Sequence, residues 1–130
     1  MASRYLLAEV LNQIMLSERV GKKEILVKKS SRLIKDVLNV LKEEGYIEDF
    51  EPVEYQGHEA LKVKLAGKIK ELKAIYPRFP VKYLEIVDYE KQYLPSYLQG
   101  ILILTTPQGV MSNKKAKELR IGGRLLAYVY

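Results

Sequence analysis

The sequence predicts an α+β fold of two small, closely packed domains, an N-terminal α-β-α-β-β unit and a C-terminal unit made mostly of strands with short helices. In the first half, two segments carry apolar residues at helical spacing and two others alternate apolar and polar residues. In the second half the apolar runs are short and separated by Gly and Pro. A chain of 130 residues is long enough for one ordinary domain or for two small ones.

The first elements are a helix, a short strand and a second helix. Apolar residues from Leu6 to Leu16 recur on one helical face, and residues 24–28 form a short strand-like run. Ser30 or Ser31 can cap the second helix, and Gly45 ends it.

Two strands should complete the first domain. Residues 46–50 and 60–65 alternate as strands do, and Gln56-Gly57 is a plausible turn between them. Pro52 is expected to mark the end of the first of these strands, because proline cannot donate to a sheet. Gly67 is the predicted boundary, which gives domains of residues 1–66 and 67–130.

The second domain should contain mainly strands. The predicted elements are strands at 69–76 and 81–83, a short helix at 85–93, a central strand at 100–105, a basic helix from the cap Ser112 to Arg120, and a terminal strand after Gly122-Gly123.

The formal net charge of +6 is unevenly distributed along the chain. Segments 19–35, 62–82 and 114–124 hold seven, seven and five basic residues, each against one acid, whereas segment 36–59 holds eight acids and one lysine. A positive surface binds phosphates and releases counterions, which favours nucleic acid as a partner. Ordinary solvated faces would give the same composition.

Composition favours binding over catalysis. His58 is the only histidine and cysteine is absent, so neither a nucleophile–base pair nor a zinc site is expected, and no metal, cofactor or small-molecule substrate is predicted. Nucleotide-binding glycine loops are also missing. We therefore expect a protein that is not an enzyme, in a reducing, cytoplasmic compartment, without a membrane segment or secretion signal.

Two basic sites are candidates for phosphate contacts. The run Lys28-Lys29-Ser30-Ser31-Arg32 lies where a strand meets a helix, so cationic side chains and helix-start N–H groups can act on one phosphate. Arg78 stands beside Phe79 between two prolines and can meet a backbone or an unstacked base. A helix cap with surface lysines and a packed corner are the structural alternatives.

The turn Thr105-Thr106-Pro107-Gln108-Gly109 is the sharpest candidate for recognition. It follows the apolar strand and precedes the basic helix that carries Lys114, Lys115 and Lys117. Hydroxyls both donate and accept, so a rigid pair of threonines can contact a base edge or a 2′-OH. As an isolated pattern, a simple β-turn with threonine as a strand former explains these residues better than recognition does.

The order of these motifs resembles the universal small-subunit ribosomal protein eight family, in its archaeal type. The resemblance covers essentially the whole chain. It rests on Gly100 followed by the aliphatic run, Thr105-Thr106, Gly109 and Ala116-Lys117, on the ending Gly122-Gly123-Arg124-Leu125-Leu126-Ala127-Tyr128-Val129-Tyr130, and on Arg19-Val20-Gly21-Lys22-Lys23, Gly45-Tyr46-Ile47 and Pro77-Arg78-Phe79-Pro80-Val81-Lys82.

The resemblance implies a structural protein that binds an irregular helix in the central domain of 16S rRNA early in small-subunit assembly. It implies that Thr105 and Thr106 reach into the core of this helix, and that basic residues around Lys28, Lys29, Arg32 and the last helix lie along phosphates. We expect further RNA contacts from Pro107, Gln108, Gly109, the Gly122-Gly123-Arg124 turn and Arg78. Neighbouring ribosomal proteins would be further partners, with the free protein a monomer. Bacterial members commonly have a hydroxyl in place of Pro107 and an acid in place of Arg124.

Two other functions fit parts of the pattern. A winged-helix DNA-binding regulator shares the helix–strand–helix order and the hairpin, but it needs a recognition helix where Tyr46 begins a strand. A small acid–base hydrolase built on the acidic segment would need a pocket with perturbed carboxylates.

Overall fold

A computed structural model describes residues 2–28, 30–75, 78–95 and 99–130 of the chain, without the side chains of residues 2–5. Its helices are α1 (Ala2–Arg19), α2 (Arg32–Glu43), α3 (Ile86–Tyr93) and α4 (Asn113–Leu119), with a 3-10 turn at Tyr83–Glu85. The strands are β1 (Glu24–Val27), β2 (Ile47–Tyr55), β3 (His58–Leu65), β4 (Leu72–Ala74), β5 (Pro80–Val81), β6 (Ile101–Thr106), β7 (Gly109–Ser112) and β8 (Gly123–Val129).

The chain divides into two compact units, residues 1–69 and 70–130. The division falls three residues after the predicted boundary of 66/67. Mixed helix and sheet in two separate sheets confirm the α+β class. No described helix is long and apolar enough to cross a bilayer.

The first unit has the predicted α-β-α-β-β order, with a three-stranded antiparallel sheet in the order β1-β3-β2. The apolar stripes of α1 and α2 are buried, including Leu11, Ile14 and Leu38. Ser31 is the N-cap of α2 and its hydroxyl accepts from Ile34 N at 3.2 Å. Only residues 44–46 separate α2 from β2, which leaves no room for the recognition helix of a winged-helix domain.

Pro52 does not end a strand, contrary to expectation. It lies within β2, where it pairs with Leu61 of β3. β2 is the edge strand of its sheet, so a missing N–H is tolerated there. The hairpin therefore runs on to Tyr55 and turns at Gln56-Gly57, as predicted.

The second unit is a five-stranded antiparallel sheet with the path β4-β8-β6-β7, in which β5 also pairs with β8. Leu102 and Leu104 of β6 lie in a core cluster with Ile86 of α3 and Ala116 of α4. Side chains alternate along a strand, so Thr106 shares this core face, whereas Ile101, Ile103 and Thr105 lie on the opposite face. The strand predicted at residues 69–76 is shorter in the structure, where β4 spans only residues 72–74. Tyr76 lies outside the described residues.

Candidate nucleic-acid interface

The recognition turn is the tip of the β6–β7 hairpin, with Pro107 and Gln108 between the paired residues Thr106 and Gly109. The Thr106 hydroxyl donates to Gly109 O at 2.8 Å and accepts from Gln108 N at 3.1 Å. It also lies 3.9 Å from Met111 Sδ, on the core face. A hydroxyl has one donor and two lone pairs, so Thr106 keeps a single acceptor site for an outside partner.

Thr105 lies on the opposite face of the sheet from Thr106. Its hydroxyl has no hydrogen-bond partner among the described residues, and the side chain is half-buried. It pairs with Val110 of β7 on one side and with Arg124 of β8 on the other. The two threonines of the predicted rigid pair therefore have different roles: Thr106 stabilises the turn, and Thr105 offers its hydroxyl beside Arg124.

The paired glycines bring β8 against the hairpin. A Cβ at Gly123 would overlap the carbonyl oxygen of Thr105, and one at Gly122 would overlap the carbonyl oxygen of Val81. Both positions thus require glycine because another backbone passes too close for any side chain. This close approach aligns Arg124 with Thr105.

Arg124 and Arg78 are brought together from positions 46 residues apart in the chain. Arg124 is exposed, and its Nη1 donates to the carbonyl oxygen of Arg78 at 3.4 Å. Arg124 also pairs with Pro80 of β5, so a row of Val110, Thr105, Arg124 and Pro80 crosses four strands on one face. A hydroxyl and a guanidinium on one rigid sheet suit contacts to a base or ribose and a neighbouring phosphate.

Helix α4 begins directly after β7, with Ser112 as its N-cap accepting from Lys115 N at 3.3 Å. Lys114 and Lys115 are exposed at its start. Lys117 differs from them, because its Nζ lies 2.7 Å from Oε2 of the buried Glu90. Its charge is therefore partly neutralised inside the unit.

In the first unit, Lys28 and Arg32 are both exposed near the junction of β1 and α2, and Lys28 Nζ lies 5.4 Å from the centre of the Tyr55 ring. Lys29 lies outside the described residues. Close by, Glu59 Oε1 accepts from Lys35 Nζ at 2.7 Å and from Ser30 Oγ at 2.8 Å. The Lys35 bond, followed by that from Ser30, lowers the pKa of Glu59.

The acidic segment does not form a catalytic cluster. Asp49 Oδ1 lies 3.0 Å from Lys42 Nζ, and this bond lowers the pKa of its carboxyl group. His58 is exposed at the start of β3, opposite Tyr55. Among the described residues, no group of three or more His, Cys, Asp or Glu side chains is arranged to hold a metal.

Two cations near the paired glycines were not predicted as site residues. Lys82 is exposed, and its Cα would be 3.0 Å from a Cβ at Gly122. Arg120 is exposed at the end of α4 in the left-handed conformation, with φ of 57°. The pairing of β5 with β8, which the sequence alone does not reveal, brings Lys82 beside the Gly-Gly turn, whereas Arg120 lies only two residues before Gly122 in the chain.

Comparison with known proteins identifies the family. The family model of ribosomal protein S8 matches residues 6–130 of the chain. The chain is 45% identical over 125 residues to the small ribosomal subunit protein uS8 of the archaeon Pyrobaculum islandicum, and the match covers 96% of each protein. This relationship spans both units and confirms the resemblance found in the motifs. The chain belongs to the ribosomal protein S8 family.

Proposed function

We propose that the protein is a structural constituent of the small ribosomal subunit that binds the central domain of 16S rRNA directly and supports subunit assembly. Its place would be on the ribosome in the cytoplasm, and it would carry out no catalysis. Membership of the ribosomal protein S8 family and the name of the archaeal relative support this function.

The observation that carries the proposal is the row formed by Thr105 and Arg124 beside the hairpin tip. The second unit, residues 70–130, would supply specificity through Thr105, the exposed amide of Gln108 and the rigid Gly122-Gly123 turn. Thr105 can donate to or accept from a base edge or a 2′-OH, and Arg124 can bind the adjacent phosphate. Pro107 stiffens the tip, and the single remaining lone pair of Thr106 can accept from a ribose.

Phosphate contacts would add affinity without sequence preference. We assign this role to Lys28, Lys29, Arg32, Arg78, Lys114 and Lys115, of which Lys28, Arg32, Lys114 and Lys115 are exposed. Charge contacts of this kind position the protein on RNA and depend on salt. The exposed acids of β2, including Glu51 and Glu54, would meet basic segments of neighbouring ribosomal proteins, and the free protein would be a monomer.

Filter binding with three different nucleic acids tests the proposal. We expect tight binding to a transcript of the central domain, weaker binding to an equally long transcript of another rRNA domain, and the weakest binding to duplex DNA. Equal affinity for the two transcripts would contradict specific recognition. Preference for duplex DNA would instead support a transcription regulator.

A further inference from the structure

Glu90 of α3 is a buried carboxylate in the second unit, and only 4% of its side chain is exposed. One oxygen, Oε2, binds both Lys117 Nζ at 2.7 Å and the side-chain amide of Asn113. Lys117 and Asn113 belong to α4 and are four residues apart, so both lie on the same face of that helix. One carboxylate oxygen thus holds a full turn of α4.

The orientation of the Asn113 amide extends this network into the sheet. Its Oδ1 accepts from Leu102 N of β6 at 3.1 Å, so its Nδ2 is the atom that donates to Glu90. The reverse orientation would set an amide oxygen against a carboxylate and an N–H against an N–H. β7 pairs with β6 only as far as Ile103 and Ser112, so Asn113 continues this ladder through its side chain.

Rotation of α4 about its axis is therefore fixed by α3 and β6 together. Asn113, Ala116 and Lys117 form the inward face of the helix, and Lys114 and Lys115 are exposed. Because α4 follows directly from β7, the same contacts set these two cations relative to the hairpin tip.

We propose that Glu90 is a positioning residue for RNA recognition, which holds α4 in register with the Thr105 hairpin and takes Lys117 as its counter-ion in place of a phosphate. This inference rests on the function proposed above and goes beyond it. Lys117 is then excluded from the phosphate contacts that its sequence position suggested, and the effective charge of the helix start comes from Lys114 and Lys115. Because this network already holds α4 in place in the free protein, less conformational entropy is lost when RNA binds.

Removing the charge at either end of the pair tests the role. Glu90→Gln keeps the side-chain shape but deprives Lys117 of its anion, whereas Glu118→Gln makes the same change at an exposed site one residue beyond Lys117. Both variants lose one negative charge, so their net charges are equal. The ratio of affinities for the central-domain transcript and for other rRNA transcripts can therefore be compared directly between them. We expect this ratio to fall at least about fivefold for Glu90→Gln, as for a lost specific hydrogen bond, and to stay at the wild-type value for Glu118→Gln.

Lys117→Met separates positioning from phosphate binding and decides the matter if Glu90→Gln does not fold. We expect it to lower the same ratio while the salt dependence of non-specific binding stays unchanged. A phosphate ligand would behave differently: both transcripts would weaken alike and the log–log salt slope would become shallower by about one. That result, or a wild-type ratio in either folded variant, would overturn the proposal.

The wild-type protein serves as the reference for the function itself. If it fails to prefer the central-domain transcript, the proposed function is wrong. If it prefers that transcript and the folded variants keep the preference, only the role of Glu90 is wrong.

Discussion

Replacing Thr105 with valine removes the hydroxyl but keeps the volume and the β-branched shape. The hydroxyl has no partner among the described residues, so folding should lose little. A surface change of this kind alters stability by less than about 0.5 kcal/mol, or roughly 2–4 °C in melting temperature for a unit of this size. RNA binding should suffer more, because the partner group on the RNA is left buried without its hydrogen bond.

The expected loss in affinity follows from that unpaired group. An unsatisfied polar group in an interface costs about 1–3 kcal/mol. At 1.4 kcal/mol per factor of ten, this corresponds to roughly 5- to 150-fold weaker binding of the central-domain transcript. Binding to other RNA and its salt dependence should stay unchanged, since Thr105→Val removes no charge.

Thr106→Val on the neighbouring residue is the matched comparison for the effect on folding. It removes two internal hydrogen bonds of the hairpin tip, to Gly109 O and from Gln108 N. At the lower end of about 0.5–1.5 kcal/mol for each exposed bond, we expect a loss near 1 kcal/mol and a fall of about 4–8 °C in melting temperature. Filter binding with both transcripts and thermal melts of both variants provide the assay. If Thr105→Val binds both RNAs like the wild type, or weakens both equally, Thr105 is not a recognition residue.

Three further predictions concern charge, packing and acid. Neutralising Lys115 with glutamine should weaken all RNA about equally and make the log–log salt slope shallower by about one in salt titrations; an unchanged slope would exclude a phosphate contact. Gly123→Ala should cost about 1–3 kcal/mol in thermal melts because its Cβ overlaps the Thr105 carbonyl, and a wild-type melting temperature would show that β8 can move away. Glu59 has a pKa below its ordinary 4.5, so its stabilisation is present above pH 4.5 and is lost as the pH falls through the lower folded pKa. Glu59→Gln should therefore reduce the acid dependence of the melting temperature, and identical pH profiles would contradict the Lys35 and Ser30 contacts.

The sequence was sufficient for elements with a strong period or a clear boundary signal. α1 and α2 follow from apolar residues on one face, Ser112 is an N-cap as predicted, and Ser31 is the cap of α2 among the two serines that the sequence offered. β7 was not predicted because four residues after a turn carry too little pattern. The predicted end of the strand at Pro52 was wrong because proline is tolerated within an edge strand. Only the sheet order shows that β2 lies at an edge.

The residues of the candidate site remain a prediction from the sequence, and the structure shows how they are arranged. Strand alternation alone implies that Thr105 and Thr106 face opposite sides, so this difference was accessible from the sequence. The contact of Arg124 with Arg78 and the pairing of Lys117 with Glu90 were not, because they join segments 46 and 27 residues apart. Such pairs depend on strand order and helix packing, which local patterns do not encode.

Site-directed cleavage of rRNA tests the central claim most directly. The chain has no cysteine, so Gln108→Cys gives a single attachment point for an iron chelate at the hairpin tip, and the wild-type protein treated with the same chelate is the control. With the Gln108→Cys variant bound to complete 16S rRNA, we predict hydroxyl-radical cuts from position 108 within one irregular helix of the central domain and no such cuts with the wild-type control. Cuts from position 108 outside the central domain, or none from a variant that still binds, would contradict recognition by the hairpin.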